Sequence, residues 1–182
     1  MQPELTVLRD VSNKLSLLGI PFMLTGSVAM SHYALPRMTR DIDIVVAISD
    51  GDVENIVRSF ERHYYISKEA VIDAVRRSSM FNIIHFESVV KVDFIVFKHS
   101  AFEEEKFGRR RTVTFGNFET SLISPEDLIL SKLIWGKESG SETQRRDVLN
   151  LLKAGCDLQY VRRWSKELGI NDDLESLLNS NE

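Results

Sequence analysis

The fold of this protein is decided by one stretch of sequence, Asp41-Ile42-Asp43-Ile44-Val45-Val46-Ala47-Ile48. Alternate side chains of a β-strand point to opposite faces of its sheet, so Asp41 and Asp43 share one face. Beyond Asp43 both faces are apolar, which is typical of a central strand covered on both sides. The stretch therefore predicts two carboxylates side by side at the rim of a buried sheet.

Paired carboxylates at such a rim need a counter-charge. At about 4 Å and an effective dielectric constant near 20, two like charges repel each other by about 4 kcal/mol. Mg²⁺ relieves this repulsion because it prefers hard oxygen ligands. A third carboxylate, Asp93, opens the strand 91–97, and three acids could hold two metal ions if the two strands are neighbours. The alternative is that 41–43 is only the solvated start of a strand.

The hydrophobic pattern around this strand predicts a mixed α/β region followed by helices only. Strands are predicted over 21–24, 41–48, 80–86, 89–97, 109–115 and 118–123. Helices are predicted over 3–18, 27–34, from Ser49 onwards, 69–77, 125–135, 142–154, 158–168 and 172–178, with a loop over 137–141. We therefore expect an α+β (mixed α/β) fold, with a core over 1–123 and a C-terminal helical region over 124–182 packed on it.

Composition places the chain among ordinary globular proteins of the cytoplasm. Its 182 residues carry a net charge of −4 and are 43% hydrophobic, which excludes collagen-like, disordered and coiled-coil classes. A single cysteine, Cys156, excludes an intramolecular disulfide and fits a reducing compartment. The first residues lack the basic and apolar regions of a secretory signal, and no apolar run approaches the ~20 residues of a membrane span. We expect a cytoplasmic location and no membrane partner.

Upstream of the acids, Gly26 and Ser27 lie between a short strand and a helix. Glycine lets the backbone approach a ligand closely, and N–H groups at a helix start attract phosphate. An ordinary helix cap is the alternative interpretation of the serine. The order of strand, Gly-Ser turn, helix, Arg40, Asp41-x-Asp43 and a later strand with Asp93 is much more specific than any one of its parts.

This order resembles the nucleotidyltransferase superfamily related to DNA polymerase β. The resemblance rests on Leu24-Thr25-Gly26-Ser27, Asp41-Ile42-Asp43-Ile44 and Val92-Asp93-Phe94. It implies that the Gly-Ser turn grips a nucleoside triphosphate and that the paired acids bind two Mg²⁺ ions, or Mn²⁺ in their place. It also implies that Asp93 completes the metal site and helps to orient or deprotonate an acceptor hydroxyl. The acceptor, whether tRNA, protein or a small molecule, stays open, as does the oligomeric state.

Within that superfamily the sequence is similar to the small bacterial AbiEii-like group, which includes toxins of toxin–antitoxin pairs. The supporting residues are Arg37-x-Thr39-Arg40-Asp41, Asp127-Leu128-x-x-Ser131-Lys132-Leu133 and Arg146-Asp147. The resemblance suggests that Lys132 contacts the triphosphate. A lysine that carries its ammonium from an apolar stripe to water is an equally good interpretation.

Other side chains near these motifs also have two interpretations. Arg40 would neutralise phosphate or pair with a neighbouring acid. Residues 145–147 would close the site or, as we favour, form a solvated helix face, and Trp135 is expected in the core. For the whole chain, the alternatives to a transferase of unknown acceptor are a non-catalytic nucleotide- or partner-binding module and the toxin of a toxin–antitoxin pair.

Overall fold

A computed structural model describes residues 3–34 and 41–179 of the chain. Within these ranges one seven-stranded sheet is flanked by helices, which confirms the expected α+β class. The strands are β1 (Phe22–Leu24), β2 (Asp41–Val46), β3 (Tyr64–Tyr65), β4 (Met80–His85), β5 (Lys91–Val96), β6 (Arg111–Phe115) and β7 (Phe118–Leu122).

The strand order is β3-β4-β5-β2-β1-β7-β6, so β2 lies in the middle of the sheet. It runs parallel to β5 and antiparallel to β1. Ile42 and Ile44 on one face are almost completely buried, and so is Val45 on the other. The prediction of a central strand covered on both sides is therefore confirmed.

Two helical segments of the described residues begin at clear capping residues. Ser49 and Asp52 form a reciprocal capping box, with the Ser49 N–H donating to Asp52 Oδ2 at 2.8 Å. Ser124 caps the helix that begins with Pro125. The helices are α1 (Pro3–Leu17), α2 (Gly26–Tyr33), α3 (Val53–Phe60), α4 (Lys68–Arg77), α5 (Ala101–Gly108), α6 (Pro125–Ser139), α7 (Glu142–Ala154), α8 (Leu158–Glu167) and α9 (Asn171–Asn179).

Three elements differ from the sequence-based expectation. The predicted loop over 137–141 is wrong, because α6 continues to Ser139 and ends at Gly140, whose φ of +64° favours glycine. Neither α5 nor the two-residue strand β3 was predicted. The charged run in the middle of α5 hides its helical period, and the helix depends on the Ser100 cap and on burial of Phe102 and Phe107.

The C-terminal helices share one hydrophobic core with the sheet. Val11 of α1 and Leu177 of α9 belong to the same cluster of buried side chains. Trp164 of α8 packs on Phe102 of α5, with ring centroids 5.2 Å apart. A division of the chain at residue 124 stays a prediction. Across the described ranges, no helix has the length and apolar character needed to cross a bilayer.

Candidate active site

Register brings the three predicted carboxylates to one face of the sheet. Asp43 of β2 lies directly opposite Asp93 of β5, and Asp41 lies opposite Lys91. Because opposite residues of neighbouring strands share a face, and residues two apart on one strand do too, Asp41, Asp43 and Asp93 all project the same way. Asp93 is buried, whereas Asp41 is exposed at the rim.

The Asp43 carboxylate is disfavoured in its charged form by its surroundings. Burial is the main cause that raises its pKa, and the neighbouring charges of Asp93 and Asp41 raise it further. Two features oppose this: the Ser27 backbone N–H donates to the carboxylate, and the charge of Lys132 lies nearby. This arrangement favours a bound cation, because additional positive charge lowers the repulsion among the acids.

The Gly26 backbone lies directly against this carboxylate. A Cβ atom at position 26 would lie 1.9 Å from Asp43 Oδ2, so no side chain fits there. Gly26 also has a φ of +61°, a conformation that L-residues rarely adopt. The Thr25 N–H donates to the Asp43 carbonyl at 3.0 Å. The turn and the strand are therefore held as one unit, with the start of α2 beside the acids.

A lysine that sequence reasoning missed lies among the acids. Lys91 Nζ is 2.8 Å from Asp93 Oδ2 and 3.6 Å from Asp41 Oδ2. The side-chain hydrogen bond to Asp93 raises the pKa of Lys91. The available signal was its position two residues before Asp93 on the same strand face, which places an ammonium beside any group that the acids bind.

Lys132 is buried rather than extended to water. Its side chain is only 4% exposed, and Nζ donates to Asp147 Oδ2 at 2.8 Å and to Gln144 Oε1 at 3.0 Å. The interpretation of Lys132 as a lysine reaching solvent is therefore wrong. The preferred interpretation of 145–147 as a solvated helix face is also wrong for Asp147, which is buried and pairs with Lys132. Arg146 is exposed, as that interpretation expects.

A cavity of about 190 Å³ extends from Asp43 along the covered face of the sheet. Val45 and Ile95 contribute apolar lining, and α6 contributes Ser131, Lys132 and Trp135. Trp135 is 55% exposed, so the prediction that it lies in the core is wrong. The Ser131 hydroxyl is buried and has no hydrogen-bond partner among the described residues. The cavity thus combines an apolar wall with polar groups that a ligand can engage.

Comparison with known proteins agrees with this geometry. The sequence profile described as "Nucleotidyl transferase AbiEii toxin, Type IV TA system" matches residues 7–148, which is more than half of the chain. The chain belongs to the AbiEii nucleotidyltransferase family. It is therefore an enzyme of the nucleotidyl-transfer class with an unknown acceptor, and the family assignment favours this over a non-catalytic module. No curated protein matches the sequence.

Solved structures share the fold of this AbiEii-family protein at low sequence identity. An antigenic nucleotidyltransferase-like protein from Paracoccidioides brasiliensis is 18% identical with a TM-score of 0.59, covering 98% of this chain and 93% of its own. The lincomycin-bound lincosamide antibiotic adenylyltransferase LnuA is 16% identical with a TM-score of 0.55, covering 85% and 98%. The antibiotic-resistance factor ANT(2'')-Ia is 10% identical with a TM-score of 0.60, covering 96% and 92%.

Two predicted features of this AbiEii-family chain remain to be placed: Arg40 and the metal site. Arg40 and the neighbouring residues 35–39 lie outside the described residues. In the parts of the chain that are described, no three His, Cys, Asp or Glu side chains form a ready-made metal site. The oxygen-only chemistry of Asp41, Asp43 and Asp93 nevertheless fits Mg²⁺ or Mn²⁺, and the Lys91 ammonium already holds a cationic position between two of them.

Proposed function

We propose that this protein is a divalent-metal-dependent nucleotidyltransferase that moves a nucleoside monophosphate from a nucleoside triphosphate to an acceptor hydroxyl. The acceptor oxygen forms a bond to the α-phosphorus, the bond from that phosphorus to the β-phosphate oxygen breaks, and pyrophosphate leaves. The observation that carries the proposal is the meeting of Asp41, Asp43 and Asp93 on one sheet face beside Gly26, which fits only without a side chain.

The three carboxylates are the proposed holders of Mg²⁺ or Mn²⁺. The bound metal would supply positive charge that stabilises the transferring phosphoryl group and the leaving pyrophosphate. Asp93 is the acid that lies deepest in the sheet, and we assign it the acceptance of the proton from the acceptor hydroxyl. Because Asp93 is buried between neighbouring strands, packing restricts its side-chain rotamers and holds the carboxylate in place.

The turn at Gly26 and Ser27 is the proposed seat of the triphosphate. Its backbone opens α2, whose N-terminus carries partial positive charge. Thr25 at the cap position makes no side-chain cap hydrogen bond. The Thr25 side chain therefore does not occupy the backbone N–H groups at the start of α2. Lys132 adds a fixed ammonium, because Asp147 and Gln144 hold it in place. Arg40 keeps its predicted role toward phosphate.

A direct test of the reaction uses α-labelled nucleoside triphosphates with a cell extract and Mg²⁺. We expect one macromolecule or metabolite to acquire label with the wild-type protein, and Asp41→Asn or Asp43→Asn to abolish the labelling. Asp73→Asn is the matched control, because it removes an exposed carboxylate paired with Arg77 on α4 and far along the chain from the acids. Wild-type labelling by Asp43→Asn would disprove the mechanism.

The cavity beside Asp43 is the proposed nucleoside site, with Trp135 at its edge. The protein has two tryptophans, and Trp164 is buried, so Trp164→Phe leaves Trp135 as the only tryptophan, and excitation at about 295 nm selects it over the tyrosines. We expect nucleoside triphosphates to quench its fluorescence through base–aromatic stacking, and inorganic tripolyphosphate to leave it unchanged. Nucleotide transfer without any change at Trp135 would place the nucleoside elsewhere.

Toxicity is a second candidate function, favoured by the family description, which names a toxin of a type IV system. Expression in a bacterial host would then arrest growth by modifying an essential acceptor such as a tRNA. We expect Asp43→Asn to restore growth at an equal protein level. Normal growth at high expression of the wild-type protein would remove the toxin role and leave the transferase proposal standing.

A further inference from the structure

Lys91 pairs with the acids of the candidate site, whereas Lys132 pairs with an acid outside it. Lys132 is paired with Asp147, a residue outside the group of three acids. Lys91 is paired with Asp93 and Asp41, both members of that group. Its side chain is 37% exposed, so it has room to turn toward solvent. A cation that binds the acids can therefore leave the Lys132 pair intact, but it competes with Lys91 for the same oxygens.

We propose that Lys91 is an internal counter-ion that occupies the carboxylate site in the metal-free protein and is displaced when a divalent cation binds. This inference rests on the proposed function. A bound Mg²⁺ lies about 2.1 Å from each ligand oxygen. An ammonium on the same Asp93 and Asp41 oxygens would then lie within a few ångströms of a doubly charged ion, and at such distances like charges repel strongly.

The displacement has a consequence for how metal enters the site. In the metal-free state Lys91 offsets part of the negative charge, so the bare carboxylates attract a divalent cation less strongly. The phosphates of a nucleoside triphosphate bring additional negative charge and additional oxygen ligands. Metal binding is therefore expected to be weak without nucleotide and to strengthen when nucleotide is present, which couples metal entry to substrate entry.

The opposite role for Lys91 makes the opposite prediction. If Lys91 only positions Asp93 from behind while the metal binds on the other side, then its removal loosens a ligand and weakens metal binding, as loss of a supporting contact around a metal commonly does. The sign of the change in metal affinity thus separates a competing cation from a positioning residue.

The test is Mn²⁺ binding to the full-length protein without nucleotide, measured by calorimetry and by the loss of the free-ion electron paramagnetic resonance signal. We expect Lys91→Met to bind Mn²⁺ up to about fivefold more tightly than wild type, since a partly exposed charge pair is worth up to about 1 kcal/mol, which corresponds to about a fivefold change in affinity. Lys91→Arg keeps the charge and is expected to stay near wild type.

Lys68→Met is the matched control, because it removes an ammonium from a surface pair with Glu54 and changes net charge equally. We expect this variant to bind Mn²⁺ like wild type. If wild type binds Mn²⁺ and Lys91→Met binds it equally well or more weakly, the proposed displacement of Lys91 is wrong. The metal-dependent function is not affected by that result. Absence of Mn²⁺ binding by every variant, even with nucleoside triphosphate, would overturn the metal-dependent function as well.

Discussion

Among the glycines of the described residues, Gly26 is the one where an added methyl group meets the candidate site most closely. In Gly26→Ala the new methyl group would meet Asp43 Oδ2 at 1.9 Å, so either the turn or the carboxylate must move. A displacement of about 1 Å at reacting groups costs about 100-fold in rate. We therefore expect a loss of nucleotide transfer of at least that size, measured with labelled nucleoside triphosphate, together with a drop in stability.

Gly19 provides the control for backbone strain alone. It has a φ of +68°, close to that of Gly26, but a methyl group at this position would meet nothing within 4 Å. Gly19→Ala should therefore lose about 1–2 kcal/mol of stability from the left-handed conformation while transfer stays near wild type. Equal loss of activity in both variants would show that strain, rather than the contact with Asp43, controls the site.

The raised pKa of Asp43 makes the protein's stability depend on pH. Because the pKa is raised by folding, the unfolded chain releases this proton at lower pH, and stability falls as pH rises from the ordinary aspartate range, ~3.9, through the folded value. Asp43→Asn cannot ionise and escapes this fall. We expect its Tm at pH 7 in chelator to exceed that of wild type, with the difference vanishing near pH 3.

Thermal melting of both proteins across this pH range decides the point. Asp73→Asn again serves as the control, because its carboxylate is exposed on α4. A wild-type protein more stable than Asp43→Asn at neutral pH would mean that the Ser27 and Lys132 contacts outweigh burial and repulsion.

At this scale the sequence predicts the acids well and their partners poorly. The period of two along β2 suffices to place Asp41 and Asp43 on one face. Placing Asp93 beside them also required β2 and β5 to be neighbours, which the register confirms. Lys91 and Asp147 were not assigned these roles because an ion pair across strands or helices depends on distances that one sequence does not contain.

At the scale of elements, the packing of α6 against α7 holds Lys132 in place beside the candidate site. Lys132 and Asp147 form a buried ion pair, and removal of one partner leaves an uncompensated buried charge. We expect Asp147→Ala to lose about 3–5 kcal/mol of unfolding free energy and to lose nucleotide transfer. Urea denaturation and the labelled-nucleotide assay measure the two effects.

A double variant separates stability from catalysis in this pair. Lys132→Met with Asp147→Leu replaces both charges by apolar groups, which commonly restores stability. We expect it to regain most of the unfolding free energy but none of the transfer activity. Arg146→Ala, at the exposed neighbouring position, should leave both measurements unchanged. Transfer by the double variant would show that Lys132 has only a structural role.

Elements were predictable where their period or their caps were strong. The hairpin of β6 and β7 around residues 116–117 and the start of α6 at Ser124 follow from local signals. The continuation of α6 into the polar segment 137–139 was missed. Its side chains are typical of a loop, but Lys137 donates to the Gly169 carbonyl at 2.7 Å, a tertiary contact with the end of α8.

At the scale of the whole molecule, the contacts across residue 124 decide whether the helical region unfolds on its own. Tyr160 of α8 donates to Asp127 Oδ1 at 2.7 Å within α6, and the same carboxylate accepts from Arg109, which precedes the predicted boundary. Arg163 of α8 pairs with Glu105 of α5. Such shared contacts predict one cooperative unit rather than two.

Urea unfolding followed by two probes tests this prediction. In Trp135→Phe the only tryptophan is Trp164, which lies in α8 against Phe102 of α5, while far-ultraviolet circular dichroism reports the whole chain. We expect midpoints that agree within about 0.2 M urea, because one shared core gives an all-or-none transition. A Trp164 transition at lower urea would establish 124–182 as a separate unit. The three carboxylates of the candidate site and Lys132, which come from both sides of residue 124, would then depend on docking between two parts rather than on one fold.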